Sequence, residues 1–197
     1  RRQFRAQSHQ AGYTLAQVRG AIGAAGCQAL EAFRVWFGAP MPVHLKGEQH
    51  IIDAYAQGKG VVFVTPLLGC FEITAPSGAA HFGPTRGPIT VLYRPARQPW
   101  LRELLSHARE RAFMKAVPTN MDGVRQLLKA LRRGEAVGLL PDQVPPLGLG
   151  IWSHMWARPA YTMTLAARLA MQTDAQILLV WGERLPHAQG YCVHVEP

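Results

Sequence analysis

The 197-residue sequence lacks the patterns that assign a chain to several common classes. Its three cysteines, Cys27, Cys70 and Cys192, are far apart and form no CxxC pair, so neither a disulfide framework nor a zinc site is indicated. No Gly-x-Ser-x-Gly elbow and no GxGxxG loop occur, which disfavours α/β-hydrolase chemistry and dinucleotide binding. No signal peptide is visible, and no apolar run approaches the roughly 18 to 20 residues that span a bilayer.

Acidic residues are also scarce, with 12 Asp and Glu against 21 Lys and Arg, a formal net charge of +9. The favoured partners are therefore anionic: phosphate-bearing lipids, an acidic protein or nucleic acid. Nucleic acid is the weakest of these readings because no helix-turn-helix, RNA-binding aromatic signature or zinc pattern is present. The 48% hydrophobic content and the length suit one globular domain with a sizeable core.

Short β-branched runs alternate with segments of helical apolar spacing. The predicted strands are Val61–Val64, Ile89–Tyr93, Ala136–Leu140, Gln176–Trp181 and Tyr191–Val195. The predicted helices cover residues 13–37, 49–57, 99–113, 122–133 and 160–172, with Asp122 as the cap of the last but one. Residues 13–37 form one helix or two, because Gly20, Gly23 and Gly26 weaken the helical pattern there. This alternation predicts an α/β fold with a largely parallel central sheet flanked by helices.

Ligands of such sheets gather beyond the carboxyl ends of the strands. Three candidate polar positions follow predicted strand ends: the loop over residues 67–72, Arg94 and Asp142. We therefore expect a functional site at this edge of the sheet.

Four segments carry a resemblance to a known family, in its order and spacing: Gly60 to Glu72, Tyr93-Arg94-Pro95, Gly134 to Pro146, and Arg158-Pro159-Ala160. Together they resemble the late lipid A biosynthesis acyltransferases, the lauroyl and myristoyl transferases of Gram-negative bacteria, in the lysophospholipid acyltransferase superfamily. The resemblance implies one glycerolipid-acyltransferase-like domain over residues 1–197. It also implies that the family's N-terminal membrane anchor and its C-terminal segment lie outside these residues.

The same resemblance implies a reaction and its partners. An acyl chain would move from an acyl carrier protein thioester to a hydroxyl of an anionic glycolipid, the lipid A precursor. The expected location is the cytoplasmic face of the inner membrane, and no cofactor or metal is implied.

The family signature is His, four residues, then Glu or Asp. Glu72 matches the carboxylate, but the histidine position is Leu67. Residues five apart on one helix point about 140° apart, so the pair can meet only across a bend, which Gly69 permits. Leucine cannot act as a general base, so we expect weak or undetectable transfer. A noncatalytic paralogue that binds lipid or acyl carrier protein is the alternative.

Two alternative roles remain open for each of three further residues, Arg94, Asp142 and Trp152. Arg94 matches a basic family residue that could bind a lipid phosphate, or it forms a surface salt bridge. Asp142 supports the substrate site or pairs with Arg94, or it caps a turn. The sequence gives none of the eight histidines a paired carboxylate, so we expect them to be solvated or structural. Trp152 borders a membrane or an acyl groove, or packs in the core.

Overall fold

The computed structural model describes residues 14–93, 98, 112–155 and 158–197. The chain divides into two compact units, Arg1–Pro40 and Met41–Pro197. The described part of the first unit is the long helix α1 (Leu15–Phe37). Its start is fixed by Thr14, whose hydroxyl accepts from the Gln17 amide at 3.3 Å while the Gln17 side chain accepts from the Thr14 amide at 2.9 Å.

Helix α1 is continuous, although Gly20, Gly23 and Gly26 weakened its prediction. The large apolar side chains of this helix that are exposed share one face, because their spacing follows the helical repeat. They are Leu15, Ile22, Leu30, Phe33 and Phe37. In the described part of the chain, no helix is both long and apolar enough to cross a membrane.

The described residues of the second unit form nine strands. They are β1 (Val43–Lys46), β2 (Val61–Val64), β3 (Ile89–Tyr93), β4 (Met114–Pro118), β5 (Ala136–Leu139), β6 (Gly150–Met155), β7 (Arg158–Met163), β8 (Gln176–Arg184) and β9 (Tyr191–Glu196). Seven form one sheet in the order β1-β9-β8-β2-β5-β3-β4, and β6 pairs with β7 in a separate antiparallel hairpin. Neighbours in the large sheet are parallel except for β8 and β9. The predicted, largely parallel α/β fold is confirmed.

Four α-helices of the described part of this unit pack on the sheet: α2 (Glu48–Ala56), α3 (Thr74–Arg86), α4 (Met121–Arg132) and α5 (Leu165–Thr173). Successive residues of β2 face different layers of helices, because side chains alternate between the two faces of a strand. Val62 belongs to a core with Leu127 of α4 and Leu169 of α5. Phe63 instead lines a cavity with Ile51 of α2 and Ala75 of α3. Helices therefore cover both faces, as the sequence predicts.

The predicted helix over residues 160–172 is wrong in its first part, where the chain forms strand β7 and the helix begins only at Leu165. Contacts with the preceding segment explain the strand. The Tyr161 ring lies 5.6 Å from the Trp152 ring, and its hydroxyl accepts from the amides of Gly148 and Gly150 at 2.9 and 3.1 Å. Tertiary pairing therefore overrides helical spacing here.

Smaller corrections concern element ends. Asn120, not Asp122, caps α4, since its side chain accepts from the Gly123 amide at 2.9 Å. Asp122 instead pairs with Arg125 at 3.0 Å. The predicted helix over 99–113 lies almost entirely outside the described residues. The sequence did not predict α3, because proline and glycine interrupt its apolar pattern.

Tyr55 of α2 is a polar side chain buried in the core. Its side chain is 6% exposed, and its hydroxyl has no hydrogen-bond partner among the described residues. The ring packs against Phe82 with centroids 6.2 Å apart, and the Arg86 guanidinium lies 5.5 Å from its centre. Burial raises the pKa of Tyr55 to about 12, with Glu135 adding to the rise and Arg86 opposing it.

We expect Tyr55→Phe to raise the free energy of unfolding by about 1 kcal/mol at pH 7, because it removes an unsatisfied buried hydroxyl. Above pH 10 the unfolded tyrosine loses its proton first, so the wild type should lose stability as the pH rises toward 12. The advantage of the variant should grow by up to roughly 1.4 kcal/mol per pH unit across that window. Urea denaturation from pH 7 to 11 measures both effects.

Tyr161→Phe is the matched control, because its hydroxyl accepts two backbone hydrogen bonds and its removal should lower stability. A loss of stability in Tyr55→Phe at pH 7, or a constant difference from wild type up to pH 11, would contradict the interpretation.

Candidate active site

The loop that follows β2 is presented at the carboxyl edge of the sheet. Strand β2 is held between β5 and β8, and the Thr65 amide continues its ladder by donating to the Leu139 carbonyl at 2.9 Å. The chain then leaves the sheet in a tight turn, with the Leu68 amide donating to the Pro66 carbonyl at 2.7 Å. Leu67 and Leu68 stand at the tip and are 48% and 56% exposed.

Two glycines fix the base of this loop. The Cys70 amide donates to the Gly182 carbonyl of β8 at 2.8 Å, next to a bridge between Gly69 and Gly182. Gly69 has φ +61°, and a Cβ there would lie 2.0 Å from the Gly182 oxygen. A side chain at Gly69 would therefore force the two backbones apart, and the bend predicted at this residue is confirmed.

Glu72 lies directly after the bend, in a short 3₁₀ turn (Phe71–Ile73) that leads into α3. Its side chain is half-buried. The Thr74 hydroxyl closes the turn by donating to the Phe71 carbonyl at 2.8 Å. Cys70, only 1% exposed, fills space in the core, and this burial argues against a nucleophilic role.

Asp142 connects a second strand end to the same loop. It follows β5, and its Oδ2 accepts from the Leu67 amide at 2.7 Å. The carboxylate therefore holds the backbone at position 67, where the sequence motif predicts the histidine. The prediction that both residues lie at the same edge of the sheet is confirmed. The hydrogen bond between them was not predicted from the sequence. Arg94 lies outside the described residues, so its predicted roles stay predictions.

An apolar cavity of about 40 Å³ lies between the sheet and the α2–α3 layer. Apart from Thr65 and Thr74, its lining residues are apolar or glycine. Thr65 immediately precedes the loop, and Thr74 lies two residues after Glu72. The cavity is therefore lined by residues on both sides of the candidate site in the sequence. Its volume would hold about three water-sized groups.

Two histidines have carboxylate partners, contrary to expectation. His81 Nε2 lies 2.7 Å from Glu48 Oε1, and His194 Nε2 lies 2.7 Å from Glu183 Oε2. The first pair joins α3 to α2, and the second joins β9 to β8. Neither histidine lies on the loop that carries Leu67.

These observations define an α/β protein with a candidate site where the β2 and β5 strands end. Residues 18–197 match the family model of the bacterial lipid A biosynthesis acyltransferases. The chain belongs to this family, as the resemblance of its motifs predicts. A comparison with curated proteins gave no match.

The hydrogen bond from the Leu67 amide to Asp142 can be tested by amide exchange. Asp142→Ala removes the acceptor, so we expect exchange of the Leu67 amide to accelerate at least about tenfold. Asp142→Asn keeps an acceptor oxygen and should show a smaller effect. The Cys70 amide, bonded to Gly182, serves as the internal reference.

Asp122→Ala is the control, because this exposed acid pairs only within α4 in the described contacts. An unchanged Leu67 exchange rate in Asp142→Ala would show that the carboxylate does not hold the loop in solution.

Proposed function

We propose that this chain binds an acyl carrier protein thioester and a lipid A precursor, and that it transfers the acyl chain weakly or not at all. Family membership supports an acyl donor and a lipid acceptor in general. Weak or absent transfer is supported by position 67, where an exposed leucine occupies the tip of the loop.

The reaction explains why this one residue matters. The acceptor hydroxyl must lose its proton as its oxygen bonds to the thioester carbonyl carbon, and the carbon–sulfur bond then breaks to release the thiolate. A base at position 67 would take that proton, and Glu72 would orient it. The leucine side chain offers neither an acceptor nor a charge, and losing a general base typically lowers rates by roughly 10²- to 10⁴-fold.

The remaining parts of the site suit substrate binding. The apolar cavity next to Thr65 and Thr74 would receive a few methylene groups of an acyl chain. Arg94 and Asp142 remain the proposed substrate-binding residues, Arg94 toward a lipid phosphate and Asp142 through the loop that it holds. The net charge of +9 favours the acidic carrier protein and an anionic lipid.

Contact with the cytoplasmic face of the inner membrane is part of the proposal. The segment over residues 144–152, which includes the start of β6, exposes several large apolar side chains. This is unusual for a surface that meets only water. The side chains are Val144, Leu147, Leu149, Ile151 and Trp152, with Leu147 99% and Trp152 73% exposed. The core-packing reading of Trp152 is therefore wrong. Aromatic and aliphatic side chains of this kind insert at membrane interfaces.

A noncatalytic role is the second candidate, and the same leucine favours it. A paralogue that binds lipid or acyl carrier protein without turnover would keep the cavity and the loop scaffold while dispensing with the base. The two readings predict the same binding and differ in whether slow transfer can be detected.

We expect Leu67→His to raise acyl transfer from acyl carrier protein to a lipid A precursor by at least about 10²-fold, because it supplies the missing base. Adding Glu72→Gln to that variant should reverse most of the gain. Product formation from radiolabelled acyl carrier protein measures the rate.

Leu68→His is the matched control, because this neighbouring leucine is similarly exposed and should gain no activity from the substitution. Transfer by the unmodified chain as fast as by Leu67→His would overturn the proposal.

Membrane contact is tested by flotation with vesicles that contain anionic phospholipid. Leu147→Asp combined with Trp152→Asp should weaken vesicle binding at least about tenfold, because each apolar side chain contributes on the order of 1.5–3 kcal/mol when buried. Met171→Asp on α5 is the control, since Met171 is 82% exposed but lies outside this segment. Equal loss of binding in both variants would contradict a specific role for the segment.

A further inference from the structure

The antiparallel strands β8 and β9 bring three potential metal ligands together. Glu183, Cys192 and His194 each offer one ligand atom, and these atoms all lie within 4.8 Å of one another. They project from the face of the sheet opposite the cavity, because Val180, Val193 and Val195 of the alternate positions line that cavity. The cluster is thus separate from the loop that carries Leu67.

Strand pairing makes this arrangement rigid. Glu183 lies directly opposite Cys192, and Trp181 lies directly opposite His194. The His194 ring stacks on the Trp181 ring with centroids 4.9 Å apart and planes 5° apart, which fixes the plane of the imidazole, and its Nε2 points to Glu183 Oε2 at 2.7 Å. Ligands that project from paired strands keep their spacing better than ligands on loops.

We propose that Glu183, Cys192 and His194 form a binding site for a divalent transition metal, with Zn²⁺ as the best match. Carboxylate oxygen, thiolate sulfur and imidazole nitrogen are the donors that zinc takes in proteins. The thiolate disfavours Mg²⁺ and Ca²⁺, which prefer oxygen ligands. A dication is also balanced by one thiolate and one carboxylate.

The distances require only local adjustment. Bonds of about 2.0–2.3 Å in a tetrahedral zinc site place donor atoms about 3.3–3.8 Å apart. Contacts of up to 4.8 Å must therefore shorten by roughly 1 Å, and the 2.7 Å contact between His194 and Glu183 must open slightly. A metal would bind the Cys192 sulfur as thiolate, so the thiol proton would pass to solvent, and His194 would bind through Nε2 with its ring proton on Nδ1.

Access and coordination number follow from the exposure of the three side chains. The Glu183 side chain is 56% exposed and the His194 side chain only 14%, so a metal ion can enter from the carboxylate side. Three protein ligands leave the fourth position of the ion to water.

The location of the site gives the ion a structural consequence. Gly182, between Trp181 and Glu183, is the residue whose carbonyl holds the Cys70 amide at 2.8 Å. A metal that joins β8 to β9 beside Gly182 would stiffen the strand on which the 67–72 loop rests. This consequence does not depend on whether the loop is catalytically active.

The test is a Co²⁺ titration of the full chain, reduced and free of metal. We expect one equivalent to bind with a near-ultraviolet thiolate-to-Co²⁺ absorption, which added Zn²⁺ abolishes. Cys192→Ser should remove this absorption and weaken Zn²⁺ binding by more than about 100-fold. Glu183→Gln, at an exposed position, should weaken binding at least about tenfold without affecting folding, and circular dichroism checks the fold of each variant.

Two controls separate the site from adventitious binding. Cys27→Ser removes an exposed cysteine of α1, and His187→Ala removes an exposed histidine of the turn between β8 and β9. Both should bind like the wild type. Absence of the thiolate absorption, its persistence in Cys192→Ser, or its loss in Cys27→Ser would overturn the proposal.

Discussion

The contact between Gly69 and Gly182 is the constraint on which the candidate site depends. A Cβ on Gly69 would lie 2.0 Å from the Gly182 oxygen, and a Cβ on Gly182 would lie 2.4 Å from the Cys70 oxygen. Two backbones that approach so closely exclude side chains on both sides. This contact decides where the chain turns back after β2 and, with the Asp142 carboxylate, where the loop presents its residues.

The sequence predicted the parts of the fold that depend on local pattern. Buried runs such as Val61–Val64, and the helical stripe of α4, indicate their structure because burial and periodicity coincide in them. Strand β7 was mistaken for a helix because its structure comes from pairing with β6 and the segment before it, and helical spacing within residues 160–172 does not report that pairing. Strand β1 has four residues, as β2 has, but only Val43 and Leu45 are apolar, so it forms no buried run.

The residues of the two proposed sites also differ in whether the sequence could predict them. Glu72 and position 67 could be proposed from the sequence because they lie in one contiguous motif, and their catalytic roles stay predictions. The pairing of His194 with Glu183 could not, since the two residues are 11 apart and meet only when β8 and β9 pair. One signal was available: Cys192 and His194 are two apart in a predicted strand, so both must lie on one face.

The exposure of Leu67 affects how freely this position can change in evolution. Its side chain is 48% exposed, and its bond to Asp142 uses the backbone amide, which histidine would offer equally. The described hydrogen bond at position 67 therefore does not depend on which side chain stands there. An exchange between leucine and histidine at position 67 should therefore be close to neutral for stability, so the residue at this tip can change in evolution while the scaffold stays intact.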